Sequence, residues 1–179
     1  LMLESAPPDE PTGDWRQDLA SVAHAARANL LRHEWMIDVF SSASAISMEG
    51  LGQGFLRHVE NSIRMTEGLP FDFRTKMGII ALLDDFTRGA TVTEIVDRRR
   101  WAATGIGPEE FQHQMTPQMM ELFAQSSYPL ADLFREHDAA TEDPAAQFEL
   151  GLQLILDGVA YRIAQQSTPS RAEQADAST

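Results

Sequence analysis

The stretch Pro144-Ala145-Ala146-Gln147-Phe148-Glu149-Leu150-Gly151-Leu152-Gln153-Leu154-Ile155-Leu156-Asp157-Gly158-Val159 decides the fold. Wound at 100° per residue, Glu149, Gln153 and Asp157 fall on one narrow stripe, and every other residue from Phe148 to Val159 is apolar or glycine. The pattern predicts a helix that opens at Thr141-Glu142-Asp143-Pro144, where acids and a proline gather, and runs to about Gln165. One arc, Leu150, Leu154 and Tyr161, is assigned to the chain's own core. The other, Phe148, Gly151, Leu152, Ile155, Gly158 and Val159, needs different cover, and its glycines let a second helix come close. A mid-helix glycine costs about 0.5–1 kcal/mol against alanine. Fully covering one Leu, Ile or Phe returns about 1.5–3 kcal/mol, so packing explains these glycines better than propensity does.

Outward from that helix, apolar positions recur at three and four rather than at two, so the predicted class is all-α, an antiparallel helical bundle. A first helix runs from the N-cap Asp14 to about Leu31, with Trp15, Leu19, Val22, Ala26 and Leu30 on one face. A short second helix spans about Glu34 to Ser41, and Ser42 to Gly50 reads as a loop. The third runs from about Leu51 to Glu67, with a core stripe of Leu51, Phe55, Val59 and Ile63 and Gly68 as its C′ residue. The fourth extends from Asp72 to about Arg99. After a loop from Ala103 to Pro108, Pro108 and Pro117 each open a short helix, the second capped by Thr116. A further short helix follows Tyr128-Pro129. Residues 1–13 read as a linker, 14–166 as one domain and 167–179 as a loose polar tail.

The centre of the fourth helix, Met77 to Leu83, is apolar nearly all round. With the last helix it carries more apolar surface than one small core can hide, which predicts a symmetric homodimer built from both. Asp84 and Asp85 interrupt that centre. Arg88 is expected to pair with Asp84 at i,i+4, or Asp157 to join them, as a polar lock at the dimer seam.

The chain's 14 Lys and Arg against 27 Asp and Glu give a net charge of -13 over 179 residues. Such a charge repels phosphate backbones, and there is no basic stripe for an anionic membrane. Arg98-Arg99-Arg100 is too short to change that reading. The absence of cysteine removes thiol catalysis and disulfides. No apolar run approaches a membrane span, and Leu1-Met2-Leu3-Glu4 does not read as a signal peptide, so a cytoplasmic location is expected. The five histidines, His24, His33, His58, His113 and His137, form no pair at ligand spacing. Gly50-Leu51-Gly52-Gln53-Gly54 follows no strand and has no lysine beside it, so it is a helix start rather than a phosphate loop. No catalytic residue, metal or cofactor is expected, and the chain does not read as an enzyme.

Asp14-Trp15-Arg16-Gln17-Asp18-Leu19, Asn29-Leu30-Leu31-Arg32-His33, Phe86-Thr87-Arg88-Gly89 and Asp143-Pro144 through Gly158 together resemble the C-terminal domain of the TetR family of bacterial transcriptional repressors, nearest its tetracycline-repressor branch. The pieces occur in the family's order over nearly all of residues 14–165. The resemblance implies an effector-binding and dimerisation domain whose partner is a second copy, with a four-helix bundle made by the fourth and last helices. It implies DNA contact only through an N-terminal helix-turn-helix headpiece that residues 1–13 do not supply, Leu1 to Leu3 being read as a remnant of the connecting helix. A small molecule held between the helices would then release the headpieces from their operator. At the branch's metal and drug positions this chain has Phe40, Thr93 (with Glu94 next to it), Val22 and Ser62, so neither a metal chelate nor tetracycline itself is expected.

The ligand site is accordingly sought between the first, third and fourth helices. The first contributes Val22, Ala26, Asn29 and His33. The third contributes Phe55, His58, Val59 and Ser62, the fourth Ile80, Phe86 and Thr87, with Phe40 following the second helix. The plainer reading makes His33 a helix cap, Asn29 a solvent-boundary residue, and Phe40, Phe55 and Phe86 core. A helical protein–protein interaction domain without a small-molecule ligand is the competing function.

Overall fold

The computed structural model describes residues 10–41, 48–125 and 143–167. Among them every regular element is a helix: α1 (Trp15–Arg32), α2 (Trp35–Ser41), α3 (Met48–Arg64), α4 (Phe73–Thr104), α5 (Pro108–Gln125) and α6 (Pro144–Ser167). The chain divides into two compact units, Leu1–Val92 with Phe148–Thr179, and Thr93–Gln147.

The start of α1 follows from its sequence. Asp14 is extended, and its carboxylate accepts from the backbone N–H of Arg16 (2.9 Å) and Gln17 (3.3 Å), two donors with no partner inside the helix. Asp18, one turn on, is buried, and the Thr12 backbone N–H and hydroxyl donate to its Oδ1 at 2.9 and 2.7 Å. Those two bonds offset the desolvation of the carboxylate.

Two polar crossings tie α1 to α6. Arg16 Nη2 donates to both Gln153 Oε1 and Asp157 Oδ1, each at 2.6 Å, and His24 Nε2 lies 2.7 Å from Glu149 Oε1. Moving forward along α1 from Arg16 to His24 moves backward along α6 from Asp157 to Glu149, so the two helices are antiparallel. The polar stripe of α6 is therefore the edge along which α1 lies. Arg27 adds its guanidinium 5.0 Å above the Phe148 ring.

Beneath these crossings Leu19 and Ala23 of α1, Leu69, Leu83 of α4, and Phe148, Leu152, Leu156 and Val159 of α6 form one core. This reverses the two arcs expected for the last helix. Phe148, Leu152 and Val159, assigned to a partner, are buried within the chain, and Ile155 packs against the same core. Leu150, Leu154 and Tyr161, assigned to the core, are 64%, 63% and 64% exposed. The polar stripe lies between the two arcs, and the arc that turns inward is the one whose Phe148 stacks on Phe86 and whose Leu152 and Leu156 join Leu19 and Leu83.

Other boundaries moved for local reasons. Residues 48–50 are helical rather than loop, while 42–47 lie outside the described residues. Among residues 56–64 of α3, the buried ones are Asn61 and Ser62, followed beyond its end by Met65 and Thr66, with Val59 and Ile63 only half-buried; the side chains of Leu51 and Phe55 lie outside the described residues. Its chain closes by tight turns, Thr66 N–H to Ile63 O and Glu67 N–H to Arg64 O, both 3.0 Å, so Gly68 is not needed in the left-handed conformation. That role falls to Gly105, with φ +68°, which ends α4 one residue after Thr104 by donating to Trp101 O at 2.9 Å.

In the other unit, the two short helices expected at Pro108 and Pro117 are one, with Pro117 inside α5 and Thr116 therefore not a cap. A proline removes one backbone donor, yet the helix continues through it. The helix expected after Tyr128-Pro129 lies outside the described residues.

Candidate functional site

The seam between α3 and α4 gathers most of the sequence-selected polar residues. His58 Nε2 lies 3.7 Å from Asp84 Oδ1, and Lys76 Nζ donates to Glu67 O at 3.2 Å. Advancing from His58 to Glu67 retreats from Asp84 to Lys76, so the chain before and after the turn runs antiparallel. On α3, Ser62 stands one turn beyond His58. On α4, Ile80 and Thr87 share the face of Asp84.

Ser62 and Thr87 are each 1% exposed, and neither Ser62 Oγ nor Thr87 Oγ1 has a hydrogen-bond partner among the described residues. His33 Nε2, at the C-cap of α1, is likewise shielded from solvent without a partner. Its backbone N–H donates to Asn29 O at 2.9 Å, which satisfies the capping role, and its ring meets Trp35 edge-on at 6.3 Å. Asn29 is buried rather than at a solvent boundary. Buried polar atoms are nearly always paired, so Ser62 Oγ on α3, Thr87 Oγ1 on α4 and His33 Nε2 at the C-cap of α1 stand out among the described residues.

The remaining candidates fall into three groups. Val22 and Ile80 are buried, while Ala26 and Val59 are half-buried. The side chains of Phe40 and Phe55 lie outside the described residues. Phe86 belongs to the helix–helix contact: it stacks on Phe148 with centroids 5.4 Å apart and an interplanar angle of 22°, and it lies against Gly151. Gly151 is thus one of the points where α4 meets α6 inside the chain, a correction to its assignment to a partner's helix.

The expected polar lock also differs. Arg88 pairs with Asp85 at i,i+3 (2.5 Å), Asp84 faces His58, and Asp157 holds Arg16. Both Asp85 and Arg88 are exposed. Sequence reading did not find Arg16 and His24 as partners of α6, although a signal was present: they stand eight residues apart, as do their acceptors Glu149 and Asp157.

A second feature is an uncovered apolar face. On α6 it comprises Leu150, Leu154 and Tyr161, with Gly158 open beside them. On α4 it comprises Leu82 with exposed Gly78 and Gly89. By helical phase these positions border Gly151 on α6 and Phe86 on α4, so each exposed arc lies next to the contact between the two helices.

Among the described residues no three His, Asp or Glu side chains come together as a metal site, and no helix is long and apolar enough to cross a membrane. A comparison with curated proteins gives no match. A comparison with protein families matches residues 7–163 to the tetracyclin repressor-like C-terminal domain. That match spans the α1–α6 pairing, the α3–α4 seam and the apolar face alike, and the chain belongs to this family, the C-terminal domains of TetR-family regulators of transcription.

Proposed function

We propose that the chain is the effector-sensing and dimerisation domain of a TetR-like repressor, whose DNA-binding headpiece is a separate N-terminal domain. The observation that carries the sensing role is the set of buried polar atoms His33 Nε2, at the C-cap of α1, Ser62 Oγ and Thr87 Oγ1, which have no hydrogen-bond partner among the described residues. A small, largely apolar molecule seated among α1, α3 and α4 supplies the missing hydrogen bonds. Because it binds one arrangement of these helices better than another, it shifts the population between them and so releases the operator. The apolar face of α4 and α6 supports dimerisation with a second copy, through Leu82, Leu150, Leu154 and Tyr161 rather than through the Phe148 arc.

Thermal melting with a panel of small molecules tests the sensing role. A ligand that binds only the folded form at 100 times its Kd stabilises by about 2.7 kcal/mol. The expected result is a raised Tm that Ser62 or Thr87 substitutions abolish. A Tm unmoved at saturation by every compound counts against it. Sedimentation velocity tests the second role, and a monomer that associates only with another protein favours an interaction domain instead.

A further inference from the structure

We propose that two copies of the chain are locked by a reciprocal ion pair, Asp85 of each copy with Arg88 of the other, at the centre of the α4 face they share; this rests on the dimerisation role proposed above. From Gly78 to Gly89 the exposed positions of α4 are Gly78, Ala81, Leu82, Asp85, Arg88 and Gly89. At 100° per residue all six fall within an arc of about 120°, and Asp85 stands at its middle. The residues on either side of Asp85 mark the limits of that arc. Asp84 turns to His58 on α3, and Phe86 turns to Phe148 and Gly151 on α6. The outward side of α4 is thus centred on a carboxylate, and apart from Arg88 the positions around it are small or apolar.

Charge identifies the occupant of that face. The chain carries -13, so two copies repel one another over most of their surface. On the outward arc of α4 Asp85 and Arg88 cancel, and Leu150, Leu154, Gly158 and Tyr161 on the adjoining arc of α6 are uncharged. A neutral, largely apolar face on an acidic chain suits a second copy, whereas a basic partner gains more from the acidic remainder.

Spacing makes the pair self-complementary. Within one chain Arg88 Nη2 donates to Asp85 Oδ1 at 2.5 Å, with the two side chains 48% and 75% exposed. In water such a pair contributes little. Covered by a second helix, both charges lose their water and need more than one partner. A two-fold axis that crosses α4 midway between positions 85 and 88 sets the two copies of the helix antiparallel, with each Asp85 level with Arg88 of the other copy. Each Asp85 then keeps its own Arg88 on Oδ1 and takes the second copy's Arg88 on Oδ2, so that four charges close into one neutral ring. No side chain stands at Gly89, one turn beyond Asp85, to hold the helices apart.

The test uses the 179-residue chain as wild type, as Asp85→Arg and as Arg88→Glu, with sedimentation equilibrium for affinity and native mass spectrometry for composition. Both sites are exposed, so the single chain tolerates either change. In Asp85→Arg the axis brings base onto base, and in Arg88→Glu acid onto acid, so each homodimer is expected to be about tenfold or more weaker than wild type. In an equimolar mixture every acid again faces a base. The mixed dimer is expected to form within about threefold of the wild-type affinity and to outnumber both homodimers. Homodimers of undiminished affinity, or weakened ones that mixing does not restore, overturn the reciprocal lock while leaving the dimer in place. A wild-type chain that stays monomeric at every concentration tested overturns the dimerisation role with it.

Discussion

The Phe86 ring fills the space that a side chain at position 151 would need: a Cβ on Gly151 would stand 2.5 Å from ring carbon Cε2. The same ring stacks on Phe148, one turn earlier on α6. Closeness between α4 and α6 therefore depends on the missing side chain at 151. Gly151→Ala gains about 0.5–1 kcal/mol of helix propensity but forces the ring out of a packed core, at a cost of about 1–3 kcal/mol. A net loss of stability in urea titration is the expected outcome, and Phe86→Leu in the same chain should relieve much of it.

Gly158 makes the opposite case. Nothing lies within 4 Å of a Cβ there, and the position is exposed. Gly158→Ala should therefore stabilise the chain by about 0.5–1 kcal/mol in urea at concentrations where it is monomeric. If α6 packs against its copy along this arc, the same change weakens the dimer, which sedimentation equilibrium reads directly.

Leu154→Glu carries the dimer proposal further. Leu154 is exposed between Leu150 and Tyr161, so a charge there costs the single chain little. Far-ultraviolet circular dichroism should stay unchanged while the dimer dissociates, since two copies of the carboxylate would be buried facing each other across the seam. Undiminished dimerisation would place the interface elsewhere.

The α1–α6 crossings should contribute modestly, because their side chains are about one-third to two-thirds exposed. A double-mutant cycle between Arg16→Ala and Asp157→Ala is expected to give a coupling of about 0.2–1 kcal/mol that shrinks with added salt.

At the start of α4, Asp72 Oδ1 accepts from the Thr75 backbone N–H at 2.9 Å. Hydrogen bonds from the Thr75 side chain and backbone hold the Asp72 carboxyl below its ordinary value of 3.8. A carboxyl with a depressed folded-state pKa stabilises the fold fully above its unfolded value and loses that contribution as pH falls through the folded one. The stability difference between the chain and its Asp72→Ala variant should therefore be constant near neutral pH and narrow only below about pH 4. Urea titrations across that range supply the measurement.

The sequence by itself determined the helical class, the start of α1 at Asp14, the two-sided apolar character of α4 and α6, and the polar stripe Glu149, Gln153 and Asp157. Each is a property of neighbours within one or two turns, where rise and rotation per residue fix which side chains share a face. It did not decide which apolar arc of α6 turns inward, because both arcs are oily enough to be buried and patterning cannot rank them. Tertiary structure made that choice: Phe148, Leu152 and Val159 pack with Leu19, Ala23 and Leu83, while Arg16 and His24 hold the polar stripe along α1. Likewise, that Ser62 Oγ and Thr87 Oγ1 are buried without a partner among the described residues depends on side-chain rotation in a packed seam, which no spacing along the chain encodes.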